Sequence, residues 1–277
     1  MKIVSLCPSN TELLHYLDLI PQLVGVDDFS DFPETVNALP RVGPDLSIDM
    51  DVVTSLQPDL VLASLSVPGM EKNVAELNKR RIPHVVYNPQ TFEDILNDLL
   101  DLGARTGKLD QANTIAARAR KLMGEYKSFA SHVSHRPSLY FEWWPKPVFT
   151  PGQKNWLTEL SVLAGGRNAF ADKQTESFQS DWEEVRLKNP DHICMVWVGV
   201  QTSKMKPELL YKRPGWNELK ALVQRNIHVL DENLFCRPSP RLFKGLVKLA
   251  ALLHPDIFPS YDEQDPLTER NAVRGRT

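Results

Sequence analysis

Three titratable residues of this chain could do acid–base chemistry if they met in a cleft: Glu142 in FEWW, Asp28 in DDFSDF and His84 in HVVY. Two carboxyls and an imidazole make a general acid–base set only when they converge on one reacting atom. These three stand in separate segments, and no spacing links them. Motifs whose spacing itself carries chemistry are missing. There is no G-x-S-x-G elbow, no P-loop and no H-E-x-x-H helix, and GGRNAF lacks the glycine spacing of a dinucleotide loop. His132 and His135 sit at a helix end without a Cys or carboxylate motif beside them. His192 and Cys194 share one strand face but give two ligands where a structural zinc takes four. No catalytic residue and no metal ligand is assigned, and no cofactor is required.

Other residues are better suited to holding a molecule than to changing one. All six Trp lie in the second half of the chain. Trp156, Trp182 and Trp216 fall on predicted helices and are expected to pack the core. Trp143 and Trp144 are neighbours at a strand end, so one of them should face outward, toward a cleft. Flat aromatic walls with a few polar anchors suit a large planar ligand. DDFSDF sets Asp27, Asp28 and Asp31 around Phe29 and Phe32, and SLSVPGM offers Leu65 and Ser66 at a strand end. Carboxylates in such a segment can meet ligand amides or cap the following turn. Arg237 and Arg241 flank the start of the last helix, able to hold an anionic group or to pair with Asp231 and Glu232.

The elements that must position these residues alternate. IVSLC, LVGVDDF, DLVLAS and HVVYN read as strands, and TELLHYLDL, DMDVVTSL, MEKNVAELNKRR and TFEDILNDLLDLGART as helices. That rhythm means βαβ units on a parallel sheet. Ser9 to Glu12 reads S-x-x-E, as do Ser180 to Glu183, and both predict helix N-caps. From Lys108 a helical pattern runs unbroken by Pro to about Ser134, roughly 40 Å of helix. Beyond it SLYFEWW, VFT, HICMVWVGV and IHVLD are strands, and NWLTELSVLAGG and SPRLFKGLVKLAALLHP are helices, with Ser239 a cap. The reading is therefore α/β, with two lobes on mostly parallel sheets joined by one long helix. Its parts are an N-terminal lobe (1–107), the helix (108–135), a C-terminal lobe (136–261) and a polar, frayed tail (262–277). Ligands sit beyond the carboxyl ends of such strands. The loops expected to line the cleft are CPSN, DDFSDF, SLSVPGM, NPQ, WWPKP, WVGVQ and ENLFCR.

With 32 Lys and Arg against 35 Asp and Glu, the net charge of -3 gives no nucleic-acid footprint. Cys7, Cys194 and Cys236 form no C-x-x-C pair and read as buried thiols, which fits a reducing compartment. IVSLC is too short for the apolar core of an export signal, and no stretch approaches a membrane helix. The expectation is a cytoplasmic protein, with a periplasmic or cell-surface one as the alternative.

VSLCPSNTELL, LVGVDDFSDFP, LQPDLVLAS, VFTPG, LAGGRNAFAD and FCRPSPR, in this order from Lys2 to Pro255, resemble the substrate-binding proteins of ABC importers for cobalamin and iron-siderophores. The resemblance implies ligand binding without catalysis, two lobes on a backbone helix, and docking to a permease through one exposed Glu per lobe. Glu71 is the docking candidate of the first lobe, while Cys236 stands where the second lobe would carry its Glu. Such receptors line the cleft with aromatics. Phe29 keeps one of these positions, whereas Leu234 and Asp45 occupy two others. The site expected is Ser9, Asp28, Phe29, Leu65, Ser66, Trp143, Trp144, Trp197, Leu234, Phe235 and Arg237. Its ligand is cobalamin or a related metal chelate, with His15 or His84 open as an axial ligand. The main reading is a cytoplasmic binding protein. The alternatives are an extracytoplasmic importer receptor and an enzyme on a reused two-lobed scaffold.

Overall fold

A computed structural model describes residues 1–268. Short Val-, Ile- and Leu-rich runs make the strands of the first lobe: β1 (Ile3–Ser5), β2 (Leu23–Val26), β3 (Leu60–Ser64) and β4 (His84–Tyr87). They pair in parallel in the order β2-β1-β3-β4. The second lobe holds β5 (Ser138–Glu142), β6 (Trp144–Pro145), β7 (Val148–Pro151), β8 (Arg167–Asn168), β9 (Ser177–Ser180), β10 (His192–Met195) and β11 (Ile227–Val229). Here β11-β10-β5-β8 is a parallel sheet, and β6-β7-β9 is a small antiparallel one. The HICMVWVGV strand stops at Met195, and the residues after it run on as cleft-side loop.

The helices are α1 (Pro8–Tyr16), α2 (Met50–Ser55), α3 (Glu71–Arg80), α4 (Phe92–Thr106), α5 (Leu109–Ser131), α6 (Trp156–Leu163), α7 (Trp182–Lys188), α8 (Lys220–Val223), α9 (Glu232–Phe235) and α10 (Leu242–Leu253). The 23 residues of α5 make a rod of roughly 34 Å. Thr91 starts α4 with a full capping box, its side chain accepting from the Asp94 N–H at 3.1 Å. Three other expected caps fail. Ser239 does not cap α10, whose N-cap is Arg241, and its hydroxyl donates to Glu12. Ser9 caps nothing, because Glu12 turns away into the other lobe, and α7 is capped one residue later, by Asp181. The physical reason at Glu12 is electrostatic: two guanidinium groups outbid a local backbone N–H.

Each parallel sheet buries both faces. Val4, Val61, Val53 and Leu77 pack the outer face of the first, and Tyr140, Phe170, Ile193 and Trp216 that of the second. The largest core is common to both lobes. It joins Leu13 and Leu14 of α1, Leu96 and Leu99 of α4 and Ala116 of α5 to Phe141 of β5, Leu160 of α6 and Leu246 of α10. Phe92 and Phe243 meet edge to face across the lobes at 4.7 Å.

The expectation of a frayed tail is corrected for residues 262–268. Leu267 is buried, its N–H donates to Asp265 at 2.9 Å, and the Tyr16 hydroxyl donates to the other oxygen of that carboxylate. The rest of the predicted tail, 269–277, lies outside the described residues.

Candidate ligand-binding cleft

Between the lobes, at the carboxyl ends of β1, β2, β3, β10 and β11, lies a cavity of about 730 Å³. The first lobe lines it with Cys7, Pro8 and Ser9, with Phe29 and Asp31, with Asp45 and Leu46, and with Ser66, Val67 and Met70. The second lobe supplies Val198 to Thr202, Asp231 to Asn233, and Cys236 to Pro238.

Phe29 is presented by a buried polar scaffold. The Asp27 carboxylate accepts from the Phe29 N–H at 2.8 Å and from the Ser30 hydroxyl. Arg41 donates to the carbonyls of Asp27 (2.8 Å) and Ser30 (2.7 Å), and Thr11 shares a hydroxyl contact with Ser30 at 2.7 Å. This turn holds Phe29 outward, half exposed, as part of the cavity lining. Burial, only partly offset by these donors, pushes the Asp27 carboxyl up to about 6. Ser64 accepts from the Ser66 N–H at 3.1 Å and so shapes the start of the SLSVPGM loop. Asn73 donates to the Asp45 carbonyl at 2.6 Å and holds that segment against the loop.

The floor is an ion cluster across the two lobes. Arg237 donates to Glu12 (3.2 Å), Asp31 (2.5 Å) and Glu232 (3.1 Å). Arg241 adds a 2.8 Å bond to Glu12 and lies over the Phe32 ring, and the Ser239 hydroxyl donates to the second Glu12 oxygen. Burial raises the Glu12 carboxyl above the usual range, while Arg241 and Arg237 pull it back down. The thiols of the cavity stay protonated. Burial pushes Cys7 up to about 12, and burial with the Glu232 charge raises Cys236 further from reactivity.

Of the expected site residues, Ser9, Phe29, Ser66 and Arg237 line the cavity. The others lie elsewhere. Asp28 is exposed outside the cavity, and Leu65 is half-buried, its N–H bonded to the Tyr87 carbonyl at 3.0 Å. Leu234 and Phe235 are core residues of α9. Trp143 stacks on Trp156 with ring centroids 5.9 Å apart, and Trp144 is exposed on the antiparallel sheet. Trp197 supports the wall from behind, its indole N–H donating to Glu142 at 3.0 Å. Trp156 and Trp216 are buried as expected, and Trp182 lies under the Arg213 guanidinium. The NPQ and WWPKP loops do not reach the cavity. Asp45 to Leu46 does, a segment whose only signal was the missing aromatic at Asp45.

The acid–base candidates do not converge. Glu142 is fully buried, held by Arg213 at 2.5 and 2.8 Å and by the Tyr140 hydroxyl at 2.9 Å. His84 sits on β4 with Nδ1 2.8 Å from the Ile82 carbonyl, and His15 packs against Phe32. Arg237 and Arg241 pair with Glu12, Asp31 and Glu232, whereas Asp231 pairs with Lys248 at 2.6 Å. Glu71 is exposed at the start of α3 and accepts from the Gly69 N–H at 2.8 Å, and Cys236 faces the Val196 carbonyl at 3.6 Å. Among the described residues no three His, Cys, Asp or Glu could hold a metal ion, and no helix is long and apolar enough to cross a membrane.

Comparison with known proteins follows the same frame. An uncharacterized ABC transporter substrate-binding lipoprotein, YvrC of Bacillus subtilis, is 30% identical over 93% of this chain and 81% of its own length. The vitamin B12-binding protein of Vibrio cholerae is 26% identical over 91% of the chain and 88% of its own length. The apo structure of the periplasmic heme-binding protein RhuT from Roseiflexus sp. RS-1 superposes with a TM-score of 0.80 at 22% identity, covering 92% of this chain and 98% of that one. The expectation of a cytoplasmic protein is overturned here, because these relatives, matched along 81% and 98% of their own lengths, are a lipoprotein and a periplasmic binding protein. Residues 3–234 match the family described as Periplasmic binding protein, and the chain belongs to that family.

Proposed function

We propose that this chain is the extracytoplasmic receptor of an ABC importer, binding a cobalamin-like or other metal-chelate ligand and passing it unchanged to a membrane permease. The observation that carries this reading is the inter-lobe cavity of about 730 Å³, roomy enough for a bulky ligand. Its apolar wall of Phe29, Leu46, Val67, Met70, Val198 and Val200 comes from both lobes. The vitamin B12-binding relative supports a corrinoid, and the heme-binding structure a tetrapyrrole. Binding is non-catalytic on this reading, since Glu142, Asp28 and His84 lie in three separate places.

Isothermal titration with cyanocobalamin, hemin and ferric siderophores tests it. At least one chelate should bind. Phe29→Ala should then weaken that binding roughly fivefold or more, about 1 kcal/mol for a lost aromatic wall. Trp144→Ala, off the cavity, should leave it unchanged. Absence of binding heat with every chelate would remove the reading.

A further inference from the structure

Resting on the reading of the cleft as a chelate site, we infer that it selects uncharged or cationic ligands rich in hydrogen-bond donors and rejects polyanionic ones. Among the described lining residues Arg237 is the one cation, against Asp31, Asp45, Asp231 and Glu232. An arginine in a cleft ordinarily reads as an anchor for a carboxylate or phosphate. This one is already spent. Its Nε–H faces Glu232 at 3.5 Å, Nη1 donates to Glu12 and Asp31, and Nη2 donates to Asp31 and Glu232. A guanidinium has five N–H donors, and all five have a carboxylate acceptor. An incoming anion would have to displace one of three carboxylates, two of them on the cavity wall.

The wider balance points the same way. Around the floor and walls stand Glu12, Asp31, Asp45, Asp231 and Glu232, and the cations paired with them are Arg237, Arg241 and Lys248. Among the described residues Asp45 has no ion pair. It comes from the first lobe, as does Asp31, while Asp231 and Glu232 come from the second, so both sides of the cleft present carboxylates to the occupant. Like charges brought together in such a site cost several kcal/mol, whereas primary amides, ammonium groups or a cationic metal centre meet ready acceptors.

The probes are two pairs of opposite character: cyanocobalamin, uncharged and amide-rich, against hemin, a dicarboxylate; and cationic ferrioxamine B against anionic ferric enterobactin. Titration calorimetry at low and high salt should rank the uncharged or cationic member of a pair at least ~10-fold tighter, a difference of about 1.4 kcal/mol. Added salt should narrow the gap. Asp45→Asn, which breaks no ion pair among the described residues, should improve the anionic member about threefold, and Asp45→Lys should improve it further. Tighter binding of hemin or ferric enterobactin than of its counterpart, or no response of either to both Asp45 variants, would overturn the inference while leaving the chelate reading intact. Silence from all four probes would overturn both.

Discussion

At the scale of single residues, the buried charges of this protein fasten its two lobes together and brace the wall of the cleft. Glu142 and Arg213 are both nearly inaccessible, and the guanidinium lies between the rings of Trp182 and Trp216, 5.1 and 4.3 Å from their centroids. Removing one partner strands the other in a low-dielectric core. Glu142→Gln should therefore lower unfolding free energy by about 3–5 kcal/mol in urea titration. It also loosens the Trp197 anchor of the 198–202 wall. A second residue-scale effect concerns acid. His192 Nδ1 and His228 Nε2 are 2.8 Å apart in stacked rings on β10 and β11. Burial first, and then the neighbouring His192, lower His228 from 6.5 to about 4. A histidine lowered on folding contributes stability that is complete above its unfolded pKa. That stability is lost as pH falls from about 6.5 toward 4, because the unfolded chain takes up the proton first. The wild-type advantage over His228→Asn should shrink by about 2–3 kcal/mol between pH 7 and pH 4.

At the scale of elements, close packing fixes where the cleft residues stand. A Cβ on Gly245 of α10 would lie 2.2 Å from the Leu234 carbonyl oxygen, so only glycine lets α10 rest against α9. Gly245→Ala must push α9 away or bend α10, at about 1–3 kcal/mol. Because α9 begins with Glu232, the same variant should also change ligand affinity, which calorimetry would report beside a lowered Tm. Element types were legible, since alternating Val/Ile/Leu runs and amphipathic segments carry their own period. Caps were less so. Ser9 and Glu12 have the spacing of a capping box, yet Glu12 is taken by Arg237 and Arg241, more than 200 residues away in sequence. No local pattern announces such a partner.

At the scale of the whole molecule, α5 is not the sole connection. The core that runs from α1 and α4 through α5 into α6 and α10, with Phe92 against Phe243, glues the lobes on one side. The Glu12 cluster pins them at the floor. Separating the lobes would expose apolar surface and unpaired charge together, so the cleft should be largely preformed. Small-angle scattering should show a radius of gyration that changes by less than about 1 Å on ligand binding. A larger contraction would show that the shared core yields. Glu12→Ala should widen the free form or lower its stability by about 3 kcal/mol or more, since it leaves Arg237 and Arg241 short of a buried acceptor.

The sequence by itself determined the two α/β lobes, the long helix and the strand-end position of the cleft. Those follow from hydrophobic period, turn residues and chain direction, which are local properties. The resemblance of LVGVDDFSDFP to receptors with aromatic-lined clefts also located Phe29, which does line the cavity. Tertiary structure decided which aromatics reach the cavity and which charges remain free in it. Trp143, Trp197, Leu234 and Phe235 had the right type and the right neighbourhood, but packing turned them toward Trp156, Glu142 and the core. For Arg237 the sequence left open an anion anchor or an ion pair with Asp231 and Glu232, and the fold chose Glu12, Asp31 and Glu232. Side-chain direction and charge pairing depend on partners distant in the chain, and only the folded molecule brings those partners together.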